Sequence, residues 1–133
     1  MKVPRLLLLA TAAAGLLVTA PAPGRGDAFH LRLLRSEPKA DTTLTVPPAA
    51  IRLWFSQAPE LSTTTIRVTG PGELAIALGQ LRLEQTAGNH VAGDVQGTLT
   101  GGRYQVRWRT MSRDGHPVSG QFAFTLAAPT PTQ

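Results

Sequence analysis

An aspartate and a histidine in the last quarter of the chain are the residues best placed to do chemistry. Asp114 and His116 stand two apart, so in an extended backbone both side chains point to the same side. Gly115 between them permits a turn, and Pro117 stiffens the segment that follows. A carboxylate and an imidazole that converge on one point can bind a divalent metal ion. On spacing alone, however, a simple Asp-Gly turn with a packed or exposed histidine is favoured.

The amino-terminal segment predicts export. Lys2 and Arg5 precede an apolar run over residues 6–20, and a small-residue, proline-rich stretch then leads to Ala28. This order is typical of a secretory signal peptide, which we assign to residues 1–28. The alternative, an uncleaved membrane anchor, is disfavoured because the run is shorter than the roughly 20 residues a spanning helix needs. Cleavage after Ala28 leaves Phe29 first and His30 second. Cleavage one residue later would expose His30 itself, but it would put bulky Phe29 where a small residue is expected.

The remaining sequence predicts β-strands separated by turn residues, with no sustained helical periodicity. Apolar and polar residues alternate most clearly over residues 103–110 and 120–126, as a half-buried antiparallel strand requires. We expect a seven-stranded immunoglobulin-like β-sandwich or Greek-key barrel over residues 29–127, followed by a disordered tail at 128–133. Trp54 and Trp108 are interpreted as packing residues. The predicted core contains Ile51, Leu53, Phe55, Tyr104, Val106, Trp108, Phe122 and Phe124.

Several segments together resemble a known family. They are residues 30–38, residues 48–56, and a closing stretch over residues 102–124. The closing stretch reads as a Tyr-x-Val-x-Trp strand, then Ser-x-Asp-x-His-Pro, then Gly-x-Phe-x-Phe. Over nearly the whole mature region the chain resembles the periplasmic copper-binding CopC family.

This resemblance implies a copper(II) site, with one ion per chain. In the family a histidine at the mature amino terminus binds through its amine and imidazole, together with the Asp and His of the Asp-x-His pair. The matching positions are His30, Asp114 and His116. Copper(II) favours such tetragonal nitrogen and oxygen ligands. A Phe29 ahead of His30 would alter the amine chelate.

Two further metal-binding possibilities are weak. The methionine-rich loop that binds copper(I) in some family members is missing, and Met111 alone cannot form a soft site. The absence of cysteine excludes thiolate sites and disulfide bonds. His90 follows Asn89 at a predicted turn, so we expect its ring to face solvent and not to touch metal.

These inferences favour a periplasmic copper(II) carrier or buffer in copper homeostasis or resistance. We expect a monomer that is not an enzyme, has no membrane attachment after cleavage, and hands copper to an inner-membrane copper transporter. The alternatives are a copper monooxygenase-like enzyme, disfavoured by the small domain and the Asp114 carboxylate, and a metal-free immunoglobulin-like interaction module. Nucleic-acid binding is disfavoured because the chain is exported and has no aromatic-basic motif. Arg103, Arg107 and Arg109 are expected to form a solvated face.

Overall fold

A computed structural model describes residues 30–130, in which nearly all regular structure is β-strand. The predicted signal peptide and the end of the predicted tail lie outside the described residues. No helix within residues 30–130 is long and apolar enough to cross a membrane. The strands are β1 (Leu33–Glu37), β2 (Thr43–Leu44), β3 (Ala50–Phe55), β4 (Thr65–Thr69), β5 (Ala75–Ile76), β6 (Arg82–Glu84), β7 (His90–Asp94), β8 (Gly102–Met111) and β9 (Pro117–Leu126), with short 3₁₀ helices at Leu61–Thr63 and Pro71–Glu73.

These strands form two sheets. The first sheet has four strands in the order β1-β3-β7-β6, and the second has five in the order β2-β9-β8-β4-β5. All pairings are antiparallel except that of β2 with β9, which is parallel. The predicted all-β sandwich is confirmed. The structure has nine strands rather than seven because β2 and β5 are separate pieces of two residues each.

The hairpin of β8 and β9 is the longest element of the fold. Its ten-residue strands pair from Gly102 opposite Leu126 to Met111 opposite Pro117. Their alternation places aromatic and aliphatic residues inward, where they meet the inward residues of β3. A Cβ at Gly120 would lie 2.7 Å from the indole of Trp108, which is its register partner. Glycine at position 120 therefore lets the Trp108 indole approach the backbone of β9 closely.

The core between the sheets matches the predicted one. Seven of the eight predicted residues are buried, and Phe122 packs half-buried against them. The Phe55 and Trp108 rings meet edge to face at 5.3 Å, which joins the two sheets beneath the end of the sandwich where β9 begins. Burial of apolar surface from both sheets supplies the main stabilisation, since the chain has no cross-link of its own.

Candidate metal centre

The turn between β8 and β9 is held closed by its own backbone. The Gly115 N–H donates to the Ser112 carbonyl at 2.9 Å, and the Ser112 N–H donates to the His116 carbonyl at 3.0 Å. Gly115 has a φ of +86°, a conformation that glycine adopts without strain. The turn therefore projects Asp114 and His116 beyond the end of the hairpin, as the Asp-Gly-His spacing predicts.

Within this turn three side chains form a chain of hydrogen bonds. The buried Ser112 hydroxyl donates to one carboxylate oxygen of Asp114, and the other oxygen lies 2.8 Å from Nδ1 of His116. The pKa of Asp114 is lowered from 3.8 to about 2. The hydrogen bond from Ser112 is the largest cause, and the hydrogen bond with His116 is the second. Asp114 is therefore an anion at neutral pH, and it fixes the orientation of the imidazole.

This arrangement leaves Nε2 of His116 as the ring nitrogen that can bind a metal. Histidine ligands in proteins commonly bond through one nitrogen to a carboxylate or carbonyl and through the other to the ion, and the outer bond sets the tautomer and ring orientation. His116 is well exposed, with 66% of its side chain accessible, so an ion can reach the free nitrogen.

His30 is brought to the same end of the sandwich by its neighbours in sequence. Leu31 is only 2% exposed and belongs to the core, so it anchors the chain directly after His30. The Arg32 N–H donates to the Ser56 hydroxyl at 3.0 Å, and the Ser56 N–H donates to the Arg32 carbonyl at 2.9 Å. These bonds attach the segment to the end of β3, while the His30 side chain remains exposed.

The rings of His30 and His116 face each other edge to face, with their centres 6.1 Å apart. With a metal–nitrogen bond of about 2 Å, each ring centre lies roughly 3 Å from the ion, so two imidazoles on one ion have centres at most about 6 Å apart. The observed separation is close to this limit. The two rings are therefore close enough for both to reach one ion once a nitrogen of each turns towards it.

The three predicted ligands are therefore brought together unequally. His30 and His116 face each other, whereas Asp114 contacts His116 through hydrogen bonds. Within residues 30–130, no group of three or more His, Cys, Asp or Glu side chains is arranged to hold an ion on its own. Asp114 would have to rearrange before its carboxylate could join the two imidazoles on one ion.

The expectation that the His90 ring faces solvent was wrong. The turn ends at Asn89, and His90 is the first residue of β7, where its side chain is only 5% exposed. Its ring stacks on Trp54 at 4.6 Å, while the Arg35 guanidinium covers the indole at 3.9 Å from its centre. Nε2 lies 2.7 Å from a Glu84 carboxylate oxygen and Nδ1 lies 3.2 Å from the Gly88 carbonyl. Both nitrogens are engaged, so His90 packs the outer face of the first sheet.

Sequence reasoning assigned no role to Ser112 or Glu84. Ser112 stands two residues before Asp114, the same spacing that singled out His116, so its place in the turn could have been inferred. Glu84 meets His90 only because β6 pairs with β7 in a register that sets the two residues opposite each other. The sequence carries no local signal for that contact.

Fold and geometry define the class first: a two-sheet β-sandwich with two imidazoles close together at one end, one of them held by a carboxylate. The model of the CopC domain matches residues 33–127, well over half of the chain. The chain therefore belongs to the CopC family, and this membership indicates a function related to copper.

The chain is also similar to individual known proteins. The chain is 28% identical to the protein YobA of Escherichia coli K12 over 97 residues, which are 73% of this chain and 78% of YobA. The crystal structure of PcoC, a methionine-rich copper resistance protein from Escherichia coli, matches with a TM-score of 0.65 and 26% identity, over 73% of this chain and 98% of PcoC. CopC from Methylosinus trichosporium OB3b matches with a TM-score of 0.67 and 21% identity, over 78% of this chain and all of that one, and shows the shared fold.

Proposed function

We propose that this chain is an exported protein that binds one copper(II) ion and acts as a periplasmic copper carrier or buffer in copper homeostasis or resistance. His30 and His116 supply imidazole nitrogens, and the amine of the mature amino terminus completes the nitrogen ligands. The observation that carries the proposal is the approach of the His30 and His116 rings from opposite ends of the described chain.

The chemistry of this end of the sandwich suits copper(II) in particular. Imidazole, amine and carboxylate are the nitrogen and oxygen ligands that copper(II) prefers, and copper(II) binds such ligands more tightly than the other common divalent ions. The anionic Asp114 adds negative charge beside His116. PcoC is described as methionine rich, whereas this chain has two methionines in all, so we expect no tight copper(I) site here.

A carrier fits the geometry better than an enzyme. The imidazoles lie at an exposed end of the molecule, where an ion can pass to a partner such as an inner-membrane copper transporter. PcoC, a solved protein to which this chain is similar, is described as a copper resistance protein. A monooxygenase-like reaction would also require an open copper position and a broad substrate face, for which this small domain has little surface.

The test is a copper(II) titration of the mature protein. The chain is expressed with its own leader and purified from the periplasm, and intact mass then identifies its first residue. Competition with a chelator of known affinity should give one copper(II) per chain. A variant that retains extra residues ahead of Phe29 should bind copper(II) more weakly by about tenfold or more, because its amine is displaced from the site.

A tag placed after Gln133 is the matched control, and it should leave the affinity unchanged. The proposed site is wrong if both the amino-terminally extended protein and His30→Ala retain copper(II) as tightly as the mature wild type.

A further inference from the structure

The outer face of the second sheet carries four arginines. Arg103, Arg107 and Arg109 alternate with the buried residues of β8 and therefore point away from the core, and Arg67 points the same way from β4. All four side chains are exposed. We call this set the arginine face.

The arginines lie beside uncharged partners or beside each other. Arg67 is directly opposite Arg107 in the β4–β8 register, and Arg109 lies between Thr65 and Ser119. Within the part of the chain that the structure describes, none of the four makes an ion pair. Like charges placed directly opposite each other on neighbouring strands destabilise a sheet.

On the first sheet, two arginines form ion pairs with acidic residues. On its outer face Arg52 pairs with Glu37 at 3.3 Å, and Arg82 pairs with Glu84 at 2.6 Å and Asp94 at 3.1 Å. The two faces therefore differ: Arg52 and Arg82 of the first sheet have acidic partners and Arg35 stacks on Trp54, whereas the arginine face, within residues 30–130, forms no ion pair and can bind an external anion.

The arginine face also has a shape that can receive such an anion. A shallow depression of about 400 Å³ lies along β4 and β8, and no acidic residue lines it. Its lining is Thr65, Arg67, Arg107, Trp108 and Arg109. A second depression beyond Arg107 also includes Arg103, with Glu73 in its lining. Arg107 lines both, so an extended anionic ligand can follow the strand from one depression to the next.

We propose that the arginine face is a docking surface for an acidic segment of a protein partner. Arginine presents a planar fork of donors that bonds carboxylates in pairs. Side chains on one face of a strand are about 7 Å apart, which is also the spacing of alternate carboxylates in an extended acidic peptide. A lipid surface is disfavoured because interfacial binding normally inserts apolar side chains. The large exposed apolar residues of the described chain, Leu34, Val46 and Leu74, lie outside β4, β8 and β9.

One end of the arginine face lies close to the candidate metal centre. Arg109 pairs with Ser119, close to the turn that carries Asp114 and His116. A partner bound along β8 would therefore have its end beside the candidate metal centre. The inference itself rests on the arginines and does not depend on copper binding.

Binding of a fluorescein-labelled oligoglutamate tests the proposal, measured by anisotropy at low ionic strength on the mature protein. The double variant Arg67→Gln, Arg107→Gln should weaken binding by about tenfold or more, and added salt should weaken wild-type binding. The matched control, Lys39→Gln with Arg52→Gln, removes the same charge from outside the arginine face and should change binding by less than about twofold.

Thermal unfolding supplies a second readout. Because the opposed pair is relieved, the melting temperature of the Arg67→Gln, Arg107→Gln variant should rise by about 1–5 °C while its binding falls. Equal loss of binding in the two double variants would overturn the proposal, since net charge alone would then explain it. Absence of oligoglutamate binding by the wild type, or a strong preference for phosphatidylglycerol vesicles over oligoglutamate, would overturn it as well.

Discussion

Two histidine–carboxylate pairs with nearly the same bond length lie in different surroundings. His116 and Asp114 are 2.8 Å apart with 66% and 50% of their side chains exposed, whereas His90 and Glu84 are 2.7 Å apart with 5% and 31% exposed. The distance between histidine and carboxylate therefore does not distinguish the two pairs. They differ in burial and in whether the second ring nitrogen of the histidine has a hydrogen-bond partner.

In the buried pair every polar group is occupied. Nε2 of the His90 ring lies 2.7 Å from the Glu84 carboxylate and Nδ1 lies 3.2 Å from the Gly88 carbonyl, so both ring nitrogens have a hydrogen-bond partner. Arg82, and then His90, lower the pKa of Glu84. In the exposed pair His116 keeps one nitrogen free. A histidine beside a carboxylate thus packs against a sheet in one place and, in the proposed site, presents a free nitrogen to a metal ion in the other.

Copper(II) affinity should separate the pairs most strongly. His116→Ala removes a ligand and should weaken copper(II) binding by about 100-fold or more, while His90→Ala should change it by less than about threefold because both His90 nitrogens are already engaged. Chelator competition on folded protein, checked by circular dichroism, gives both values. A large loss in His90→Ala would place that histidine in the metal centre and break the comparison.

Unfolding free energy should show the reverse order. His90→Ala leaves a cavity beside Trp54 and removes a partner of Glu84, so it should cost about 2–4 kcal/mol. His116→Ala changes an exposed residue and should cost less than about 0.5 kcal/mol without metal. Urea denaturation of the two variants measures the difference. Similar losses of unfolding free energy in the two variants would show that packing does not distinguish the two pairs.

The smallest effect concerns how the Asp114–His116 pair is held. Ser112→Ala removes the first donor to Asp114, so the pKa of Asp114 should rise from about 2 towards 3.8. A carboxyl whose pKa is lower in the folded state than in the unfolded state stabilises the fold at pH values above its unfolded-state pKa. The variant should therefore be less stable than the wild type above about pH 4, and this difference in stability should vanish towards pH 2.

A carboxyl-specific NMR titration measures the pKa directly. The matched control is Ser62→Ala, because Ser62 donates to the carboxylate of Glu60 at 2.9 Å with the same two-residue spacing. It should leave the pKa of Asp114 unmoved. An unchanged pKa in Ser112→Ala would contradict the role of its hydroxyl.

The sandwich was predictable where alternation was long. The predictions for residues 103–110 and 120–126 fall within the ten-residue strands β8 and β9, because period-2 patterning over many residues has few alternative explanations. The two-residue strand β2 could not be predicted. It exists because its longer neighbour β9 offers backbone partners to Thr43 and Leu44.

The candidate site was predictable where its contacts are local in sequence and not where they join distant strands. Asp114 and His116 could be paired from their spacing, since the turn that joins them is local. The burial of His90 depends on three strands, with Trp54 and Glu84 on either side of it in the register. Sequence analysis interpreted Trp54 as a packing residue but had no means of finding the arginine and histidine that cover it.

The arrangement of His30 and His116 has one further consequence, for the mechanics of the domain. His30 precedes β1 of the first sheet, and His116 precedes β9 of the second. An ion bound by both rings would join the two sheets and close a loop that spans most of the domain. Cross-links of that length restrict the unfolded chain strongly, and this chain has no cysteine with which to make one. Bound metal would then serve as a removable staple, so the protein would resist unfolding while loaded and would relax once it releases its cargo.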